Sequence, residues 1–205
     1  GVNERPLDLK FGPDGRLYAS GVFDIGAYAG IAVWSAGAWA AVGAGLGASG
    51  SGATGYSMAF GNDGTLFVGG QFTNLTDANG DYITKWNGSA WSSLGTGADN
   101  LVRKVIVGLD GTLYAGGSFT SMGGVASTAY IAKWNGSAWS ALGTGMNQLV
   151  YALAVGPDGS IYAGGNFTLA GGVTNTAYIA KWNGSVWSPL STGMNSVVYS
   201  LAFGS

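Results

Sequence analysis

One pattern of aromatic, glycine and turn residues recurs four times along this chain, and it restricts the accessible folds more than any other feature. Residues 113–147 read LYAGGSFTSMGGVASTAYIAKWNGSAWSALGTGMN and residues 161–195 read IYAGGNFTLAGGVTNTAYIAKWNGSVWSPLSTGMN; looser copies cover 66–100 and 17–52. A tryptophan pair marks each copy: Trp34/Trp39, Trp86/Trp91, Trp134/Trp139 and Trp182/Trp187. A spacing of about 48 residues is that of radial or solenoid arrays, whose units bury their apolar faces against their neighbours.

The last copy shows what one unit contains. Tyr151 to Val155 is a short apolar run that reads as a buried strand. Gly156-Pro157-Asp158-Gly159 is a turn, because Pro fixes φ, Asp bonds its own backbone and Gly accepts positive φ. Ser160 to Ala163 begins a second strand ending at Gly164-Gly165, and Leu169 to Thr176 is a glycine-containing loop. Ala177 to Trp182 is a third strand, Asn183-Gly184 a hairpin signal, and Val186 to Leu190 a fourth strand. A two-residue loop at Asn183-Gly184 would set Ala180 opposite Trp187 and leave the two indoles diagonally adjacent on one face. There they would pack between sheets.

Four strands joined by tight turns make an antiparallel up-and-down sheet, and such sheets repeated about an axis form a β-propeller. The expected fold is therefore all-β: one propeller domain over 1–205, with blades at about 5–52, 53–100, 101–148 and 149–195 and a surplus strand at 196–205. A helical solenoid is excluded by the absence of 3.6-residue periodicity and by 39 glycines, each costly inside a helix.

The glycine pairs Gly69-Gly70, Gly116-Gly117 and Gly164-Gly165, each followed by an aromatic, a turn and a Trp-Asn-Gly segment such as Trp86-Asn87-Gly88, resemble the kelch-type repeat of bacterial and phage surface proteins. The resemblance covers nearly the whole chain and implies a propeller used as a binding platform. Copy one departs from it, with Ser20-Gly21 for the glycine pair and Ser35-Ala36-Gly37 in place of Asn-Gly. A copper oxidase shares kelch-like rings, but its chemistry needs His and Cys, and this chain has none.

The first strand of the repeat occurs five times, from Leu7–Phe11 at the start to Tyr199–Phe203 at the end. Four blades seat only four such strands. The chain is then a piece of a longer propeller, or carries one strand on a blade edge, or donates the spare to a second copy through Tyr199 to Phe203 or Leu7 to Phe11.

Composition removes most chemistry. Without Cys or His there is no thiolate or imidazole metal site, no cysteine nucleophile and no Ser-His-Asp triad, so no cofactor and no metal are expected. A net charge of −2 with 9% charged residues gives no basic field for nucleic acid, and no apolar run is long enough to span a membrane. Asp14, Asp63, Asp110 and Asp158 recur beside glycine in the first turn, where aspartate caps the backbone. Glycoside hydrolysis needs two close acids, and these lie on separate blades, so no catalytic residue is assigned. Lys85, Lys133 and Lys181 precede the first Trp of their blades and keep a sheet face soluble.

The loops between second and third strands differ most among copies, and variable loops on a rigid scaffold are where recognition is placed. The candidate ligand-binding residues are Asn74, Asp77, Asn79 and Asp81 in copy two, Ser121 and Thr128 in copy three, and Asn175 and Thr176 in copy four. The neutral, aromatic and amide-rich surface points to glycans. The sequence thus reads as a non-enzymatic, extracellular or virion-associated propeller for adhesion or glycan binding. The alternative is a building block of a fibre, coat or larger ring assembled by end-strand exchange.

Overall fold

The computed structural model describes residues 4–73, 75 and 81–204, and all their regular structure is β. The chain divides into two compact units, Gly1–Gly97 and Ala98–Ser205. The first holds a sheet of β1 (Arg5–Phe11), β2 (Leu17–Ile25), β3 (Tyr28–Ser35) and β4 (Ala38–Ala41). Its second sheet contains β5 (Thr54–Phe60), β6 (Leu66–Gln71), β7 (Ile83–Trp86) and β8 (Trp91–Ser93). The second unit holds β9 (Val102–Val107), β10 (Leu113–Gly117), β11 (Ile131–Trp134) and β12 (Trp139–Ser140), then β13 (Val150–Val155), β14 (Ile161–Gly165), β15 (Ile179–Trp182) and β16 (Trp187–Pro189). Every neighbouring pair is antiparallel and consecutive, so each repeat is one four-stranded blade.

The recurring aspartates form the first turn of each blade. Asp110 Oδ1 accepts the Thr112 N–H at 3.0 Å and Oδ2 accepts the Thr112 hydroxyl at 2.9 Å; Asp63 and Asp158 hold Thr65 and Ser160 in the same way. The glycine pair follows a separate requirement. At Gly116/Gly117 the register with β9 shifts by a bulge, and a Cβ on Gly117 would run into the Leu101 carbonyl oxygen. Gly165 and Gly70 face the Leu149 and Thr54 carbonyls in the same manner. Only a residue without a side chain lets the two backbones approach there.

The core lies where one blade face meets the next. In the second unit Tyr114, Ile131 and Leu142 of one blade pack with Leu153, Ile161 and Trp187 of the next; in the first, Ile31, Val42 and Leu46 meet Met58, Leu66 and Val68. The tryptophans fasten these faces. Trp187 Nε1 donates to the Leu142 carbonyl at 2.9 Å and Trp91 Nε1 to Val42 at 3.1 Å, each reaching back to the preceding blade.

The indole register differs from the sequence expectation. Trp182 stands directly opposite Trp187, with ring centroids 5.3 Å apart, and Ala180 faces Pro189. The connection is a four-residue turn, because Asn183 Oδ1 accepts the N–H groups of Ser185 (3.0 Å) and Val186 (2.9 Å). This Asx turn, with Gly184 at φ 100°, adds two residues to the loop. The same direct pairing holds for Trp34/Trp39, Trp86/Trp91 and Trp134/Trp139. The surplus strand also differs: 196–204 forms no ladder, although it lies against the fourth blade.

Candidate functional site

Strand parity sends the two tight turns of a blade to one end and the long second-to-third-strand loop to the other. Each end offers a different kind of surface.

At the loop end, Thr128 and Thr176 are fully buried. The Thr128 hydroxyl accepts the Met122 N–H at 2.9 Å and donates to the Val125 carbonyl at 2.7 Å; Thr176 repeats this with Ala170 and Val173 at 2.9 and 2.6 Å. These two hydroxyls are internal braces that fix the loop. Ser121 is half-buried, and its carbonyl accepts the Asp99 N–H at 3.1 Å. Asn175 is exposed in the left-handed region at φ 60°, and half-buried Asp81 precedes Tyr82, which has φ 62°. Asn74, Asp77 and Asn79 lie outside the described residues. The loops are further pinned from the preceding connection: Asp99 receives the Thr120 N–H and hydroxyl at 2.8 and 2.6 Å, and Asn147 receives the Thr168 and Leu169 N–H groups. Hydrogen bonds from Thr120 and the Ser121 backbone hold the Asp99 carboxyl below its usual range, although its desolvation opposes this. In the first blade, Asp24 lines a 220 Å³ recess with Glu4 and Phe23 and accepts the Ser49 hydroxyl at 2.8 Å. Among the described candidates, Thr128 and Thr176 brace their loops from inside, and Asn175 faces solvent.

At the turn end a groove recurs between adjacent blades of each unit. In the second unit it encloses about 250 Å³ between Leu109, Asp110 and Tyr114 on one blade and Asp158, Trp182 and Asn183 on the next. In the first unit the corresponding groove of 150 Å³ lies between Asp14, Arg16 and Tyr18 on one side and Leu66, Trp86 and Gly88 on the other. Asp14 matches Asp110, Tyr18 matches Tyr114 and Trp86 matches Trp182 in the repeat. The Asp-Gly turn of one blade and the Trp-Asn-Gly turn of the next therefore meet. Both turns were visible in the sequence with structural roles, and their meeting across a blade boundary follows from parity.

The charges in the two grooves differ. Lys181 Nζ donates to Asp158 Oδ2 at 2.8 Å and sits 5.6 Å from the Tyr162 ring centre. That hydrogen bond, with those from the Ser160 backbone and hydroxyl, lowers the Asp158 carboxyl to about 2. In the other groove Arg16 pairs with Asp14 at 2.7 Å while the Tyr18 hydroxyl donates to the same carboxylate at 2.8 Å. Burial opposes ionisation of Asp14, yet the bonds from Arg16 and Tyr18 hold it below the usual carboxylate range. Burial first, and the neighbouring carboxylates second, push the Tyr18 and Tyr114 phenols up. Each groove thus presents an ionised carboxylate, a tyrosine and an indole, a combination suited to hydroxyl-rich ligands. Among the described residues no three acidic side chains converge as a metal site would require.

No protein-family model and no curated protein matches the chain. Solved structures do. YCF48 bound to D1 peptide aligns with 98% of this chain and 58% of its own, at TM-score 0.55 and 14% identity. The chain thus spans little more than half of that structure. A gluconolactonase-like protein (TM-score 0.47, 16% identity, 77% of this chain and 54% of its own) and the BT4673 extracellular domain from B. thetaiotaomicron (0.41, 12%, 97% and 30%) align more weakly. With four four-stranded antiparallel blades in place, the first likeness gives the fold class as β-propeller. No helix among the described residues is long and apolar enough to cross a membrane.

Proposed function

We propose that this chain is a non-enzymatic binding module of the kelch-like surface type, extracellular or virion-associated, which adheres to glycans through its blade rims. The observation that supports this reading is the recurrence of the turn-end groove with carboxylate, tyrosine and indole at repeat-equivalent positions. A carboxylate accepts hydrogen bonds from vicinal hydroxyls, and an indole or phenol offers an apolar face to a sugar ring. Grooves repeated on one scaffold suit a ligand that itself repeats, because linked weak sites gain avidity without new contacts.

A glycan array followed by calorimetry tests the proposal. Asp110→Ala combined with Leu109→Ala, both on the groove lip, should weaken binding of an array hit about tenfold, equivalent to about 1.4 kcal/mol. Asn175→Ala should leave it within twofold. No hit across neutral and acidic polysaccharides, or turnover of any of them, would overturn the proposal. A building-block role is the second reading, favoured by the way 196–204 seats on the fourth blade.

A further inference from the structure

The two turn-end grooves differ in how their carboxylates are engaged. One carboxylate, Asp14, lines the first-unit groove, and it is taken: Arg16 pairs with it at 2.7 Å and the Tyr18 hydroxyl donates to it at 2.8 Å. Two carboxylates, Asp110 and Asp158, line the second-unit groove, and Asp158 is paired with Lys181 at 2.8 Å. Asp110 forms no ion pair among the described residues; its oxygens hold the Thr112 N–H and hydroxyl. The second-unit groove therefore carries a carboxylate whose charge is unmatched.

The other blades show what such a carboxylate accepts. The Arg16 guanidinium stands 5.8 Å from the Tyr18 ring centre while bonded to Asp14, and Lys181 Nζ stands 5.6 Å from the Tyr162 ring centre while bonded to Asp158. Asp14/Tyr18, Asp110/Tyr114 and Asp158/Tyr162 are the same pair in the repeat. Turn aspartate and second-strand tyrosine thus form a cation seat, through the carboxylate charge and the negative face of the ring. The first and fourth blades fill it from within. In the third blade Lys133 stands opposite Tyr114 in the ladder, as Lys181 stands opposite Tyr162, yet it forms no ion pair with Asp110.

Two further groups on the same groove have unused hydrogen-bonding capacity. Asn183 is exposed and commits Oδ1 to its own turn, while its Nδ2 has no acceptor among the described residues. The Tyr114 hydroxyl likewise has no partner among them, although its counterpart on Tyr18 donates to Asp14. A carboxylate acceptor, an amide donor and a phenol thus line one groove of about 250 Å³. Their complement is an ammonium with a hydroxyl next to it on a rigid ring: the ammonium donates to Asp110, and the hydroxyl accepts from Asn183 Nδ2. A lysine side chain carries its charge on a long flexible stem with no hydroxyl beside it, and fits this pattern less well.

We infer that the second-unit groove binds the protonated amine of an amino sugar within a glycan, seated on Asp110 beside Tyr114. The first-unit groove, whose carboxylate is engaged by Arg16, has no such preference. The inference deepens the glycan-binding proposal and rests on it. It makes the second unit selective for free-amine over N-acetylated sugars, because acetylation removes the charge that Asp110 reads.

Isothermal titration of the full chain at mildly acidic pH tests this with a glucosamine tetramer, its N-acetylated counterpart and tetralysine. The free-amine tetramer should bind about tenfold tighter than the other two, as a charge-assisted hydrogen bond to one carboxylate provides. Asp110→Asn, which keeps an oxygen for the Thr112 N–H, should abolish that preference. Asp24→Asn, which removes the same unit of charge from the first blade's second strand, should leave it within about twofold. Leu109→Lys, at an exposed lip position, sets a like charge beside the seat and repeats the Asp110 arm should Asp110→Asn lose its native circular dichroism. Equal affinity for the two sugar tetramers overturns the inference and leaves glycan binding standing. A preference that survives both variants overturns it too, since the amine is then read elsewhere. Tetralysine binding as tightly as the free-amine sugar contradicts it in favour of a basic peptide. Absence of binding by either tetramer, with a silent glycan array, sinks the glycan reading itself and the inference with it.

Discussion

Replacing one indole of a tryptophan pair should cost very different amounts in the first and last repeats. Trp187 is 4% exposed, lies in the core of its unit and donates to the Leu142 carbonyl. Trp187→Ala removes a buried aromatic, worth about 3–5 kcal/mol with its cavity, and a hydrogen bond of about 1 kcal/mol. Leu142 O keeps the Gly145 N–H as a partner, so no orphaned carbonyl adds to the loss. The total is about 4–6 kcal/mol, a midpoint fall of about 10–20 °C at this chain length. Trp34, the first indole of the first blade's pair, is 43% exposed and is paired with Trp39. With less than two-thirds of its surface buried, Trp34→Ala should cost about 2 kcal/mol. Trp187→Phe should sit between them, keeping most of the bulk while losing the N–H. Urea unfolding followed by far-ultraviolet circular dichroism avoids the fluorescence change that the substitutions themselves cause. Equal losses for Trp187→Ala and Trp34→Ala would refute the view that the indoles stabilise by bridging blades.

Three further outcomes follow from local geometry. Gly117→Ala should cost about 3 kcal/mol, since its Cβ meets the Leu101 backbone, whereas Gly124→Ala, with open space and φ 69°, should cost about 1 kcal/mol; urea midpoints compare them. Thr176→Val should lose about 1–3 kcal/mol in the same assay, because the Ala170 N–H is left buried without an acceptor. The Asp158 carboxyl should titrate near 2 by carbon-detected NMR, and Lys181→Met should raise its midpoint. Its folded value lies below the 3.8 of the free group, so its stabilising contribution is complete above about pH 4 and fades as pH falls toward 2.

The repeat made the blades legible because turn chemistry and strand alternation point the same way. Asp158-Gly159, Gly164-Gly165 and the tryptophan pairs each have one sterically natural place in a small antiparallel sheet. The indole register was not legible. Asn-Gly signals a two-residue hairpin, and only the Asn183 side chain bonding forward to Ser185 and Val186 reveals the longer turn. The candidate site was hardest to read. Variability marked the loop of Thr128 and Thr176, but a threonine in a variable loop reads the same whether it faces solvent or braces the loop from inside. The turn-end grooves combine residues from successive repeats, so no motif within one copy displays them. The tail carries the residue pattern of a first strand, yet 196–204 lies against the fourth blade without a ladder.

Cross-strand Hα–Hα contacts measured by NMR on the isotopically labelled chain test the blade architecture most directly. One such contact is expected within each tryptophan pair, Trp34/Trp39, Trp86/Trp91, Trp134/Trp139 and Trp182/Trp187, flanked by ladder contacts to the second strand of the same blade. Contacts between Ala180 and Trp187 in their place, or helical contacts three residues apart anywhere in the repeats, would contradict it.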